Sequence, residues 1–545
     1  MRCLDPWGGA RQSWRMKNAG RVYLVGAGPG DAGLLTLRGA ELLGRADVVV
    51  YDALVSRSVV RLAREGAEMI YGGKRSKLPG MEQGALNSLL VEKAREGKLV
   101  VRLKGGDPYT FGRGGEEAEE LAAAGVPFEV VPGVSSATAA PNCAGIPLTH
   151  RDHCSSFTVI TGHEDPDVSD EDLSWSRLAT TPGTKVVMMG LRNFRRIVER
   201  LMSEGMAGST PVALIRWGST PRQETLEGTL ETIADRVEEV GFGAPAVTVI
   251  GDVVKLRGRL NWFEARPLFG QRVVVTRERG QAREFVAGLE ECGAEVLEVP
   301  AVRFTMPSQR EPMVEGLAGL NGYDWLIFTS ANGVKWFFDS FFRAFKDLRD
   351  LGGVRIAAVG PATAASLEAL HLQVDVMPER HDAASLARAL SEYETLENLR
   401  VLLARAEVAT PELPKILEEK GAIVDDIAFY RTEAEAGGEE DEVAVRLREE
   451  GADWLTFTSG STARHFHARF DLVAMRVRFP GMRVVSIGPE TTAVLEELGV
   501  KVDVEAKVQT TEGMMEVMLK SGLPVEKKAK RKAQSGKRKA ARGKG

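Results

Sequence analysis

Residues Val22–Asp31 read VYLVGAGPGD, a β-branched, apolar strand that runs straight into a glycine-rich turn. Such a junction is where an α/β sheet cradles a nucleotide, because glycine lets the backbone come close to a ligand. A dinucleotide loop needs G-x-G-x-x-G opening a helix, with an acid about 20 residues further on for the ribose. Gly26 and Gly28 fit, but Gly30 comes one residue early and Pro29 sits inside the turn. Asp52, closing the run ADVVVYD, stands where the ribose acid would. A nicotinamide dehydrogenase and a structural tight turn are both open on this loop alone.

Outward from the loop, strand-like runs (VYLVG, DVVVYD, LVVRLKGGD, FEVVPG, FTVITG, TKVVMMG, PVALIRWG, AVTVIGDVV) alternate with amphipathic segments as far as Trp262. The alternation predicts an α/β fold with a mainly parallel sheet. Many of the runs end in glycine, and loops leaving the carboxyl ends of such strands form the ligand crevice.

Taken in order, VGAGPGD, YD, GKR (73–75), RLKGGDPYTFGRGGEE (102–117), VVPGVSSA (130–137), GIPLTHRD (145–152), MMGL and LNWF resemble uroporphyrinogen-III C-methyltransferase. The resemblance implies a tetrapyrrole methyltransferase-type two-domain fold over residues 20–262, with S-adenosylmethionine in the cleft between domains, and it displaces the dehydrogenase reading. Carried over by motif, the cofactor contacts are Pro29, Gly105, Gly106, Asp107, Thr110, Ser135, Ser136, Met189 and Gly218, Thr110 standing where relatives often carry an aliphatic residue. The resemblance puts Asp52 in the proton-acceptor role and Lys74 in the proton-donor role. Alone, Asp52 reads as a helix cap, Lys74 as a surface cation and GGDP as an Asp-capped turn. A substrate with eight carboxylates needs cations, and Arg102, Lys104, Arg113 and Arg151 lie in or beside the motifs.

From Gln271 to about Lys520 the chain repeats itself at a spacing near 128 residues. LEECGAEVLEVPAVRFT (289–305) returns as LEEKGAIVDDIAFYRTE (417–433), and AVGPATAASLEAL (358–370) as SIGPETTAVLEEL (486–498). Thr329-Ser330 followed by ANGVKWFF returns as Thr458-Ser459 followed by GSTARHF. The repeat predicts two similar α/β lobes facing one another across a cleft. With FTSANGV, AVGPATA, AFYRTE and FTSGSTA, it resembles uroporphyrinogen-III synthase, which closes hydroxymethylbilane with loss of water and inversion of ring D. The resemblance implies that Tyr430 assists loss of the hydroxyl and that Ser330, Thr363, Ser459 and Thr491 line the cleft. Alone, Tyr430 reads as a half-buried core aromatic and the threonines as helix N-caps after Gly-Pro.

Composition sets the outer bounds. Residues 1–19 lack an apolar core and read as a disordered leader, residues 263–270 as a linker, and 521–545 as a basic disordered tail. Ten Lys/Arg and one Glu follow position 525, so a tail of +9 sits on a body of −14 within the net −5; the tail could contact polyanions. No apolar run approaches the roughly 20 residues that span a bilayer. Cys3, Cys143, Cys154 and Cys292 show no metal or disulfide spacing, which points to a reducing cytoplasm. His465 and His467 read as a helix-surface pair, and no metal is expected. A homodimer through the first half is implied by the resemblance. The rival readings are a methyltransferase acting at another carbon of a related precorrin, and one whose second half is an inactive scaffold or tetrapyrrole-binding module.

Overall fold

The computed structural model describes residues 20–73, 81–162, 174–435 and 442–521. The leader, Lys74 and the tail beyond Ser521 lie outside the described residues. Contacts divide the chain into two compact units, one running through Arg272 and taking in Ala287–Val296, the other made of Val273–Val286 and Leu297–Met518.

In the first unit, strands β1 (Arg21–Gly26), β2 (Val48–Tyr51), β3 (Glu68–Tyr71), β4 (Leu99–Lys104) and β5 (Phe128–Val131) form a sheet in the order β3-β2-β4-β1-β5. Every pairing is parallel. The continuous apolar runs VYLVG and VVV are buried on both faces, as a parallel sheet covered by helices requires. All carboxyl ends therefore lie on one edge, and the loops GAGPGD, YD, GGDP and VVPGVSS all leave from it.

A second sheet contains β6 (Phe157–Thr161), β7 (Thr184–Met188), β8 (Pro211–Arg216), β9 (Glu224–Thr229) and β10 (Ala246–Ile250), in the order β6-β7-β10-β8-β9. Only β6 and β7 run parallel; β7-β10, β10-β8 and β8-β9 are antiparallel. The expected mainly parallel sheet thus holds for the first sheet and fails for the second, because β8 turns straight back into β9 and β10 returns between β7 and β8. Residues 263–270, expected as a linker, pack into this unit: Phe263, Leu268 and Phe269 are buried, and Phe263 and Phe269 cluster with Cys143.

The second half contains β11 (Arg272–Val275), β12 (Glu295–Glu298), β13 (Val302–Thr305), β14 (Trp325–Phe328), β15 (Arg355–Ala358), β16 (Arg400–Ala406), β17 (Ile423–Ala434), β18 (Trp454–Phe457), β19 (Arg483–Ser486) and β20 (Val504–Glu505). They form two sheets, β12-β11-β18-β19-β20 and β13-β17-β16-β14-β15. The two lobes are there, but a lobe is not a repeat. The repeat equates β14 with β18 and β15 with β19, and the chain places these equivalents in different sheets. One lobe therefore combines the start of the first repeat with the end of the second, stitched where Thr276 Oγ1 donates to the Thr456 carbonyl at 2.7 Å and Thr456 Oγ1 to that of Val274 at 2.8 Å.

Each lobe has its own apolar core. In the second lobe Phe337 is fully buried and its ring meets those of Phe328, Phe338 and Phe429 at 5.3, 5.0 and 4.9 Å. Phe337→Ala is expected to cost about 3–5 kcal/mol through lost burial and a residual cavity; urea unfolding followed by circular dichroism checks it.

Candidate functional site

Three loops of the first sheet meet glycine to glycine. A β-carbon on Gly26 would lie 2.5 Å from the α-carbon of Gly133, and one on Gly133 would lie 2.2 Å from the carbonyl oxygen of Gly106. No side chain fits between them. Gly28 and Gly106 also exchange backbone hydrogen bonds, Gly106 N–H donating at 2.8 Å and Gly28 N–H at 3.2 Å. Asp107 closes the arrangement: its Oδ2 accepts the Gly133 N–H at 3.0 Å, while Oδ1 accepts the Tyr109 N–H at 2.9 Å and the Thr110 hydroxyl at 3.0 Å. Asp107 therefore clamps two loops together, and Thr110 braces that carboxylate. Ser135 caps the helix Ser136–Cys143, its hydroxyl accepting the Ala137 N–H at 3.3 Å.

Asp52 follows β2 on the same edge, half-exposed, and is no helix cap. Arg102 Nη2 approaches both its carboxylate oxygens, at 2.8 and 2.9 Å. Arg102 Nε donates to Glu117 Oε1 at 3.1 Å, Lys104 Nζ to the same oxygen at 2.6 Å, and Gln83 Nε2 to it at 3.2 Å. Glu117 is 0 % exposed, and Arg102 and Lys104 are 3 % exposed. Arg102 and Lys104 are therefore corrected as substrate-facing cations: they are consumed by a buried carboxylate, and only Asp52 reaches the surface. Burial, then the neighbouring Arg102 charge, holds the Lys104 ammonium below its ordinary pKa. Arg113 is exposed and paired with Glu116, and Arg151 is exposed.

The second sheet contributes strained strand ends. Met189 after β7 has φ 55°, and Trp217 and Ser219 on either side of Gly218 have φ 51° and 64°. Non-glycine residues in this region cost about 1–3 kcal/mol each and mark functional sites when the surroundings hold them there. The turn meets the first loop, since a β-carbon on Gly30 would strike the Thr220 methyl at 2.7 Å and lie 3.5 Å from Ser219 Oγ. Ser219 Oγ is itself buried without a hydrogen-bond partner. Glycine-exposed backbone groups, serine hydroxyls, two carboxylates and the Met189 side chain form a donor set that fits a nucleoside carrying a positive sulfonium.

In the second unit, a cavity of about 140 Å³ is lined by Glu278, Arg279, Arg303, Phe304, Lys335 and Trp336 among others. Behind its wall the Tyr430 ring meets Phe304 edge-on at 5.5 Å, and the Tyr430 hydroxyl lies 3.1 Å from Ser330 Oγ. Ser330 also caps the helix Ala331–Ala344, which carries Lys335 and Trp336. Burial pushes the Tyr430 phenol above its ordinary pKa, so it is protonated at neutral pH. Ser459 caps Gly460–Phe470 in the matching way, accepting the Thr462 N–H at 3.2 Å. Thr363 and Thr491 are almost wholly buried and present little surface to a cleft, which corrects them as cleft-lining hydroxyls; the N-caps there are Gly360 and Gly488. Arg303 and Lys335 lie inside the repeated segments AVRFT and ANGVKWFF, where nothing marks them as cations of a site; with Arg279 they converge through tertiary structure.

These loops and lobes define a tetrapyrrole methylase joined to a bilobal synthase. A family model described as Tetrapyrrole (Corrin/Porphyrin) Methylases matches residues 21–234, and one described as Uroporphyrinogen-III synthase HemD matches 283–516. The chain is 36% identical over 503 residues to a porphyrin biosynthesis protein HemD of Ruminiclostridium josui, covering 92% of this chain and 98% of that one. It is 52% identical over 239 residues to an S-adenosyl-L-methionine-dependent uroporphyrinogen III methyltransferase of Methanosarcina barkeri, covering 44% of this chain and 94% of that one. With the siroheme synthase of Azotobacter vinelandii it shares 51% identity over 250 residues, 46% of this chain and 53% of that protein. The chain belongs to the family of porphyrin-biosynthesis enzymes in which a uroporphyrinogen-III C-methyltransferase is fused to a uroporphyrinogen-III synthase.

The buried network gives a stability prediction. Glu117→Gln leaves two buried cations sharing only Asp52, and a loss of about 3–5 kcal/mol is expected. Because folded Lys104 binds its proton more weakly than the unfolded chain does, its contribution to stability rises with pH towards the ordinary value of 10.5. In the variant that rise should begin at lower pH. Urea midpoints between pH 6 and 9 check both statements.

Proposed function

We propose that the first unit methylates uroporphyrinogen III at C2 and C7 to give precorrin-2, for siroheme or cobalamin, and that the second makes uroporphyrinogen III from hydroxymethylbilane. The observation that supports this best is the glycine crevice with the Asp52 carboxylate on the same sheet edge. Pro29, Gly105, Gly106, Asp107, Thr110, Ser135, Ser136, Met189 and Gly218 would hold S-adenosylmethionine. When bound, it supplies an electrophilic methyl group on a sulfonium.

Asp52 accepts the proton that the pyrrole loses, and Arg102 holds that carboxylate in one orientation. Lys74 is assigned the proton-donor role by its motif alone. Arg113, exposed after the Asp107 loop, and Arg151, exposed on the turn His150–Cys154, attract the carboxylates of the tetrapyrrole. Alignment of two bound reactants contributes about 7–11 kcal/mol to such a reaction, so the loop clamp matters more than proton transfer. In the second unit Tyr430, protonated and hydrogen-bonded to Ser330, gives a proton to the departing hydroxyl, which leaves as water. Arg279, Arg303 and Lys335 hold substrate carboxylates while the chain of pyrroles folds for closure. A homodimer through the first unit completes the proposal.

Two variants separate the activities. Asp52→Asn should lower methyl-transfer kcat by about 10²–10⁴-fold, the range for general acid–base help, with S-adenosylhomocysteine binding and synthase activity intact. Tyr430→Phe should slow formation of the type III isomer and leave methylation of supplied uroporphyrinogen III unchanged. A fully active Asp52→Asn enzyme would overturn the base assignment, and a fully active Tyr430→Phe enzyme the acid assignment.

A further inference from the structure

Gln223 and Glu264 lie outside every motif discussed above, yet they anchor the turn that carries Gly218. Gln223 is buried, and its Oε1 accepts the Ser219 N–H at 3.0 Å. Its Nε2 donates to the Cys143 carbonyl at 3.1 Å and to Glu264 Oε1 at 3.0 Å. Only one orientation of the amide satisfies all three bonds. Glu264 is fixed in turn: Oε1 accepts the Thr225 hydroxyl at 2.7 Å, and Oε2 accepts Arg257 Nη2 at 2.8 Å. Arg257 Nη1 donates to the Ala144 carbonyl at 2.7 Å.

This chain of bonds joins three pieces: the turn Trp217–Thr220, the carboxyl end of the helix Ser136–Cys143, and the segment that follows Asn261. The first two both border the crevice. The helix starts at the Ser135-Ser136 corner, and a β-carbon on Gly218 would meet that of Ala140 at 2.5 Å. The turn holds two non-glycine residues in the left-handed region, a conformation that persists only where the surroundings enforce it. Gln223 supplies that enforcement at the Ser219 N–H, and Glu264 fixes Gln223.

We infer that Gln223 and Glu264 are positioning residues for methyl-donor binding, setting donor affinity through the Trp217–Ser219 turn rather than by contact. The inference rests on the proposed reading of Gly218 as a donor contact. It also makes Glu264, in the stretch whose composition suggested a linker, part of the ligand-binding machinery.

The test is titration calorimetry of the full chain with S-adenosylhomocysteine, alongside hydrogen exchange over residues 217–223. Glu264→Gln should weaken binding about tenfold, as loss of a hydrogen-bonded buried charge does. Exchange at the turn should rise in the free variant and fall when ligand is added, while the KM for uroporphyrinogen III stays at its wild-type value. Thr225→Val, which removes one bond to the same carboxylate, should show a smaller shift in the same direction and decides the matter if Glu264→Gln does not fold. Unchanged affinity in a folded variant, whatever its unfolding midpoint, would overturn the inference. A wild-type chain that binds no S-adenosylhomocysteine would instead remove the donor-site reading beneath it.

Discussion

The contact of Gly26, Gly106 and Gly133 is the constraint on which the first unit depends. Three loops leave one edge of a parallel sheet, and they can share a crevice only because none carries a β-carbon at the point of meeting. Asp107 then bridges two of them by accepting the Gly133 N–H. Backbone amides and carbonyls presented in this way are rigid, since their positions are fixed by strands and not by rotatable side chains. The glycine loop first resembling a dinucleotide turn is thus one wall of a crevice whose other walls come from residues about 80 and 105 positions further along.

Beneath that edge the charges are arranged in depth. Glu117 is buried and pairs with both Arg102 and Lys104, Asp52 supplying the second negative charge, so the cations that the sequence places in the crevice motif support it from inside the fold. Asp52 is the outer member of the network and the one with access to a ligand. A carboxylate held by a buried guanidinium loses orientational freedom without being removed from solvent, which is what proton acceptance at a fixed point requires.

The strands and loops of the first sheet were legible because long β-branched runs end in glycine, and a parallel sheet buried on both faces leaves that signature. The edge strands EMIY and ETLEGT were not, since one is half-exposed and the other mostly polar. Glu117 was legible in principle: on its helix the buried positions Gly114, Glu117, Ala118 and Leu121 recur at helical spacing, so the acid sits on the apolar stripe. Gln223, Arg257 and Glu264 gave no local signal, because their meaning lies in bonds across as many as 113 residues of sequence. In the second half the 128-residue repeat announced two lobes but not their interleaving, which a repeat compared only with itself does not encode.

The pairing of the two units makes chemical sense if the product of one is the substrate of the other. The most direct measurement is anaerobic incubation of the full chain with freshly generated hydroxymethylbilane, with and without S-adenosylmethionine, followed by oxidation and separation of the products. Type III uroporphyrin without the methyl donor and a dimethylated product with it are expected. Type I uroporphyrin alone without the donor, even with methylation of supplied uroporphyrinogen III, would contradict the assignment of the second unit.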